Sequence, residues 1–167
     1  MRTTIRIRRA AVAGTITAVA LFATGCNGPQ QTAAAPAQES GETFQEFGDY
    51  EVHYNALRTD MLTPEIARSY GIQRSSSRVL LNVTILRKEA DHAPRKPVDG
   101  VVQVDAYNLN GQLKNIDIRR ISEGDAIYYI GEVSISGVEI LVFDITVTPA
   151  GESTPFKVKF KREFYAT

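Results

Sequence analysis

From about Phe44 onward the chain alternates apolar and polar residues with a period of two, the pattern of a strand that buries one face and wets the other. In Phe156-Lys157-Val158-Lys159-Phe160-Lys161 every second residue is apolar. Leu141, Phe143, Ile145 and Val147 form the strongest candidate core strand, with Glu139, Asp144 and Thr146 outward or at a rim. Val79, Leu81, Val83 and Ile85 share another face, with Asn82 and Thr84 opposite, and Val102, Val104 and Ala106 a third; Ile116 and Ile118 mark one more strand. Residues 49–57 and 126–135 bring the number to about seven. Asn110-Gly111, Glu123-Gly124-Asp125 and Pro149-Ala150-Gly151 separate them as turns. Short strands at this density predict an all-β fold, an immunoglobulin-like antiparallel β-sandwich, with a small barrel as the alternative.

One stretch departs from the alternation. In Leu62-Thr63-Pro64-Glu65-Ile66-Ala67-Arg68-Ser69-Tyr70-Gly71, Thr63 suits the N-cap, Pro64 the first helical position, Glu65 the positive end and Gly71 the left-handed position after the last turn. The spacing predicts a short inserted helix that presses Leu62, Ile66 and Tyr70 onto the sandwich. Tyr128, near the start of a late strand, sits where a tyrosine corner would, although the immunoglobulin disulfide and tryptophan are missing.

The N-terminal residues read as an address. Arg2, Arg6, Arg8 and Arg9 precede an uncharged run, residues 10–25, with the layout of a secretory signal. The run is short for a span, which needs about 20 apolar residues. It ends in Leu21-Phe22-Ala23-Thr24-Gly25-Cys26, which resembles a bacterial lipobox, with Ala23 where leucine is usual. That resemblance implies cleavage after residue 25 and acylation of Cys26, the single cysteine of the chain. At about 0.8 kcal/mol per buried CH₂, several acyl chains hold where one does not. Asn27 in place of an inner-membrane aspartate implies the periplasmic side of the outer membrane. Residues 26–43, rich in Ala, Gln, Pro and Gly, are then a tether with a reach of about 23 Å, and residues 44–167 are the domain.

Without residues 1–25 the balance is fifteen basic residues against nineteen acidic ones, net −4. A mildly acidic domain has no general pull toward nucleic acid. One cysteine excludes an intrachain disulfide or a zinc knuckle.

Three stretches of the domain carry a family resemblance: Phe47-Gly48-Asp49-Tyr50-Glu51-Val52-His53-Tyr54-Asn55-Ala56, Leu62-Thr63-Pro64-Glu65-Ile66-Ala67 and Asp125-Ala126-Ile127-Tyr128-Tyr129. They resemble domain of unknown function 4426, a family of uncharacterised exported proteobacterial proteins. The resemblance implies export and brings no activity with it.

Chemistry-bearing motifs are sparse. The histidines are His53, on a polar strand face with Glu51 and Asn55, and His92, in a loop. Neither lies in a nucleophile, phosphate-loop or His-Glu-x-x-His motif. A metal would have to gather His53, His92, Glu51, Asp91 and Asp99, and no spacing demands it, so no metal and no cofactor are expected. Arg58 and Asp60 offer a functional corner with His53, or a turn stabilised by Asp60. Lys157, Lys159 and Lys161 project from one face of the last strand, either as a guard against edge pairing or as a dock for an anionic partner. Tyrosines invite a carbohydrate reading, but Tyr50, Tyr54, Tyr128 and Tyr129 read as packed rings with hydroxyls at the rim. The expected function is a non-enzymatic, membrane-anchored binding or structural module of the envelope with a protein or peptidoglycan-related partner. An envelope hydrolase and a small-ligand or metal carrier are the alternatives.

Overall fold

A computed structural model describes residues 43–89 and 93–166. The leader, Cys26, the tether before Thr43, and Asp91 and His92 lie outside the described residues. Ten strands form: β1 Phe44–Phe47, β2 Tyr50–Arg58, β3 Arg78–Arg87, β4 Lys96–Pro97, β5 Gly100–Asn108, β6 Leu113–Lys114, β7 Arg119–Glu123, β8 Ala126–Ser134, β9 Val138–Pro149 and β10 Phe156–Tyr165. Sheet I runs β1-β2-β3-β8-β7, with β4 also paired to β3, and sheet II runs β10-β9-β5-β6. Every pairing is antiparallel. The all-β sandwich is therefore the fold. The strands beyond seven are short, two of them only two residues long.

Between the sheets lies one core. Val52 and Ala56 of β2, Val79, Leu81, Val83 and Ile85 of β3, Val133 of β8, Leu141, Phe143, Ile145 and Val147 of β9 and Val158 of β10 are all buried in it. These are the alternating apolar positions, as a period of two requires. Along the β2–β10 seam the rings stack in sequence: Phe47 on Phe156 with centroids 4.6 Å apart, Tyr54 on Phe160 at 4.8 Å and Phe160 on Phe143 at 5.0 Å. Arg162 of β10 bridges the same seam by donating to the Asn55 side chain at 2.7 Å and to the Ala56 carbonyl.

Three local expectations change. Residues 115–118 are not a strand; they cross from β6 in sheet II to β7 in sheet I. Ile116 and Ile118 keep their alternation because both tuck against the core, packed so closely over Gly131 that a Cβ there would come within 2.7 Å of each. The inserted helix, α1, spans Pro64–Ser69, and Thr63 caps it by accepting from the Ile66 backbone at 3.3 Å. Ile66, however, is exposed, and it is Ala67, with Leu62, Tyr70 and Ile72, that meets Leu80, Ile130, Tyr128 and Ile121 on the outer face of sheet I. A small residue at the contact lets a six-residue helix lie close to the strands. Finally, the tyrosine that ties back to backbone is Tyr129 rather than Tyr128. Its hydroxyl donates to Asp99 at 2.5 Å and accepts from the Gly100 N–H at 2.8 Å.

Candidate functional site

The outer face of sheet I has two halves. One is apolar and covered by α1 and Ile72. The other is polar, built from alternate residues of β2 and β3 whose register sets His53 opposite Thr84 and Asn55 opposite Asn82. Directly paired residues on one face have Cβ atoms about 4.5–5.5 Å apart, so these four side chains converge. With Thr43 and Tyr54 they line a cleft of about 260 Å³. Asn82 Oδ1 is buried at this site and has no hydrogen-bond partner among the described residues. A buried acceptor left unpaired costs about 1–3 kcal/mol, so its retention in a central strand asks for a reason.

His53 is held in a fixed pose. Its Nε2 lies 3.0 Å from Glu51 Oε2 and its ring stacks on Phe44 at 5.2 Å, the residue opposite it on β1. The Glu51 side chain is only 2% exposed although it belongs to an outer face. Arg95, from the connection between β3 and β4, covers it and pairs with its other oxygen. Burial pushes the Glu51 carboxyl up, but the His53 hydrogen bond and the Arg95 charge outweigh it and hold the group below its ordinary value. A neutral His53 that donates through Nε2 presents Nδ1 as an acceptor.

Arg58 and Asp60 do not join His53. Arg58 Nε and Nη2 each lie 3.1 Å from an Asp60 carboxylate oxygen, and Arg58 Nη1 donates to the Tyr165 carbonyl at 2.5 Å. The Asp60 carbonyl accepts from Arg74 at 2.7 Å. Arg58 lines a separate, more apolar hollow of about 330 Å³ with Met61, Phe164 and Tyr165 among others. The Arg58 bond to Tyr165 ties the end of β2 to β10.

Lys157, Lys159 and Lys161 lie on β10, an edge strand of sheet II, as paired in register with Thr146, Asp144 and Val142. Lys159 is 3.1 Å from Asp144 and sits over the Tyr107 ring at 5.5 Å. Tyr107 and Asp144 together push its ammonium above the ordinary value. Asp105 is registered against Asp144 on the same face, so the middle of the lysine row is locally neutralised.

Asn82 was not singled out by its residue type. The available signal was a polar pair, Asn82 and Thr84, inside an otherwise apolar strand, and it becomes a site only through the β2–β3 register.

Fold and cleft together define a two-sheet β-sandwich with a polar recess on one outer face. The model of a family described as a domain of unknown function, DUF4426, matches residues 44–167, and this chain belongs to that family. It is similar to a DUF4426 family protein from Pseudomonas aeruginosa PAO1, 35% identical with a TM-score of 0.64, over 76% of this chain and 97% of that one. FetP of uropathogenic E. coli strain F11 shares the fold at 12% identity and a TM-score of 0.54, over 78% of this chain and 95% of that one. A copper-bound glutamate-to-glutamine variant of FetP does so at 13% and 0.52, over 74% and 95%. None of the curated proteins matches this chain.

The copper belongs to FetP. In this chain no three His, Cys, Asp or Glu side chains gather among the described residues, and the Arg95 guanidinium already balances Glu51. His92 and Asp91, two of the candidate ligands, lie outside the described residues.

Proposed function

We propose that this chain is a non-enzymatic binding module of the cell envelope, held on the periplasmic side of a membrane by acylated Cys26, that receives its partner on the open polar half of sheet I. The observation that carries this reading is the buried Asn82 oxygen, unpaired among the described residues, beneath a polar cleft on an otherwise well-packed sandwich. Buried polar groups are nearly always paired, and a partner arriving from outside supplies what the fold does not.

The hydrolase alternative asks for a nucleophile activated by an oriented base. His53 is oriented by Glu51, but Arg58 and Asp60 are engaged with each other at the end of the strand. The metal alternative has the fold of FetP in its favour and lacks a donor set among the described residues.

A photoreactive side chain placed at Thr43, on the rim of the cleft, in the acylated protein in living cells tests the proposal. The expected result is a cross-linked envelope partner from Thr43 and much less from a control at Lys157. Equal capture at both positions, or none at Thr43, contradicts it.

A further inference from the structure

We infer that the cleft is a subsite for one neutral pyranose ring of an envelope glycan. The inference rests on the reading of the open half of sheet I as the binding surface and adds the chemistry of what binds. Three properties of the cleft lead to it.

The first is charge. Thr43, His53, Tyr54, Asn55, Asn82 and Thr84 line the cleft, with no lysine, arginine or carboxylate among them. The nearby Glu51 charge is balanced by Arg95. Arg162, which reaches Asn55 at the edge of the cleft, spends its guanidinium on that side chain and on the Ala56 carbonyl, so among the described residues neither an anion nor an ammonium finds an uncommitted counter-charge, and the favoured ligand is neutral.

The second is the balance of donors and acceptors. Asn82 Oδ1 lacks a donor among the described residues, and His53, whose Nε2 is taken up by Glu51, leaves Nδ1 for a ligand hydroxyl, which can meet it as donor or as acceptor. Threonine hydroxyls serve either way. The terminal torsion of an asparagine is soft, so a small turn of the Asn82 amide meets a ligand hydroxyl. A ligand rich in hydroxyls satisfies such a set.

The third is shape. Phe44 is 41% exposed and stacks on His53 beside the cleft, a flat apolar platform next to hydrogen-bonding groups. A sugar ring has the matching surface, an apolar C–H face edged by hydroxyls. At about 260 Å³ the cleft is below the roughly 300–1,000 Å³ of sites for drug-sized ligands. It takes one ring and leaves the rest of a polymer outside.

The test is a two-dimensional amide NMR titration of the mature acylated protein in micelles with N-acetylglucosamine and with glucose, and with sulfate as the anionic control. The inference expects saturable shifts confined to residues 43–44, 53–55 and 82–84 with at least one sugar and none with sulfate. It also expects about tenfold weaker binding in Asn82→Val and in Phe44→Ala, each with native spectral dispersion. Absence of saturable shifts with both sugars, saturable shifts with sulfate, or unchanged affinity in the folded Asn82→Val protein overturns it. If the Thr43 cross-link still captures an envelope partner while the sugars do nothing, the glycan inference falls and the binding surface stands. If the cross-link fails as well, both fall.

Discussion

Glu51 accepts a hydrogen bond from His53 Nε2 at 3.0 Å while its own side chain is only 2% exposed. A carboxylate in that position depends on its partners, because an uncompensated buried charge is costly. Arg95→Ala removes one of the two, and the expected loss is about 1–3 kcal/mol at neutral pH, larger than that of the isosteric Glu51→Gln. Urea denaturation of both variants reads the order. A harmless Arg95→Ala contradicts the account of this pair.

Asn82→Val is expected to stabilise the protein, by about 1 kcal/mol. It removes a buried acceptor that has no partner among the described residues and replaces it with a β-branched residue suited to a strand. The midpoint of urea unfolding rises at unchanged slope. A fall of similar size shows that the amide is structural.

Asp99 holds the turn before β5. Its Oδ1 accepts from Tyr129 at 2.5 Å, from Arg120 at 3.0 Å and from the Gly100 N–H at 2.9 Å. Tyr129 first and Arg120 second hold its carboxyl below the ordinary aspartate value. A group depressed in the folded state contributes stability above its unfolded pKa, about 3.9, and loses it as the pH falls through the lower folded value. Asp99→Asn is therefore less stable than wild type at pH 7, and the gap closes below about pH 4. Thermal melts of both proteins across that range check the sign; a gap that widens on acidification refutes it.

Gly100 is needed for its lack of a side chain. A Cβ there would lie 2.6 Å from the Thr148 carbonyl oxygen, which is backbone of the neighbouring strand β9. Gly131 is also tight, but its Cβ would meet side-chain carbons of Ile116 and Ile118 at 2.7 Å, with backbone, the Asp117 carbonyl oxygen, farther off at 3.1 Å. Gly100→Ala is expected to cost about 2–3 kcal/mol and Gly131→Ala less, measured as shifts in the unfolding midpoint.

Replacing Lys157, Lys159 and Lys161 with glutamine tests the edge of sheet II. Lys159 already faces Asp144, and the expected outcome is a folded protein with a nearly unchanged melting temperature that self-associates at high concentration. Sedimentation reads this. A monomeric variant that loses the envelope partner would instead move the binding surface to β10.

The strands were legible because a period of two is the direct imprint of a two-faced sheet, and residues 141–147 and 156–160 show it plainly. The same logic misassigned residues 115–118, since a strap that tucks Ile116 and Ile118 under the sandwich alternates just as a strand does. Ile66 looked like a contact residue on spacing alone, yet helix contact depends on which side chain is short enough for close approach, and that is Ala67. The cleft was the least legible part. Asn82 opposite Leu81 reads as any wet face, and nothing in the linear order says that Asn55 lies across from it. Register, a product of the whole sheet, brings the residues together.

The most direct test of the binding surface joins its two consequences in one protein. Photo-cross-linking from Thr43 is measured in wild type and in Asn82→Val, with stability measured on the same samples. The account predicts that the variant is more stable yet captures the envelope partner several-fold less well. Equal capture in a stabilised variant would contradict it.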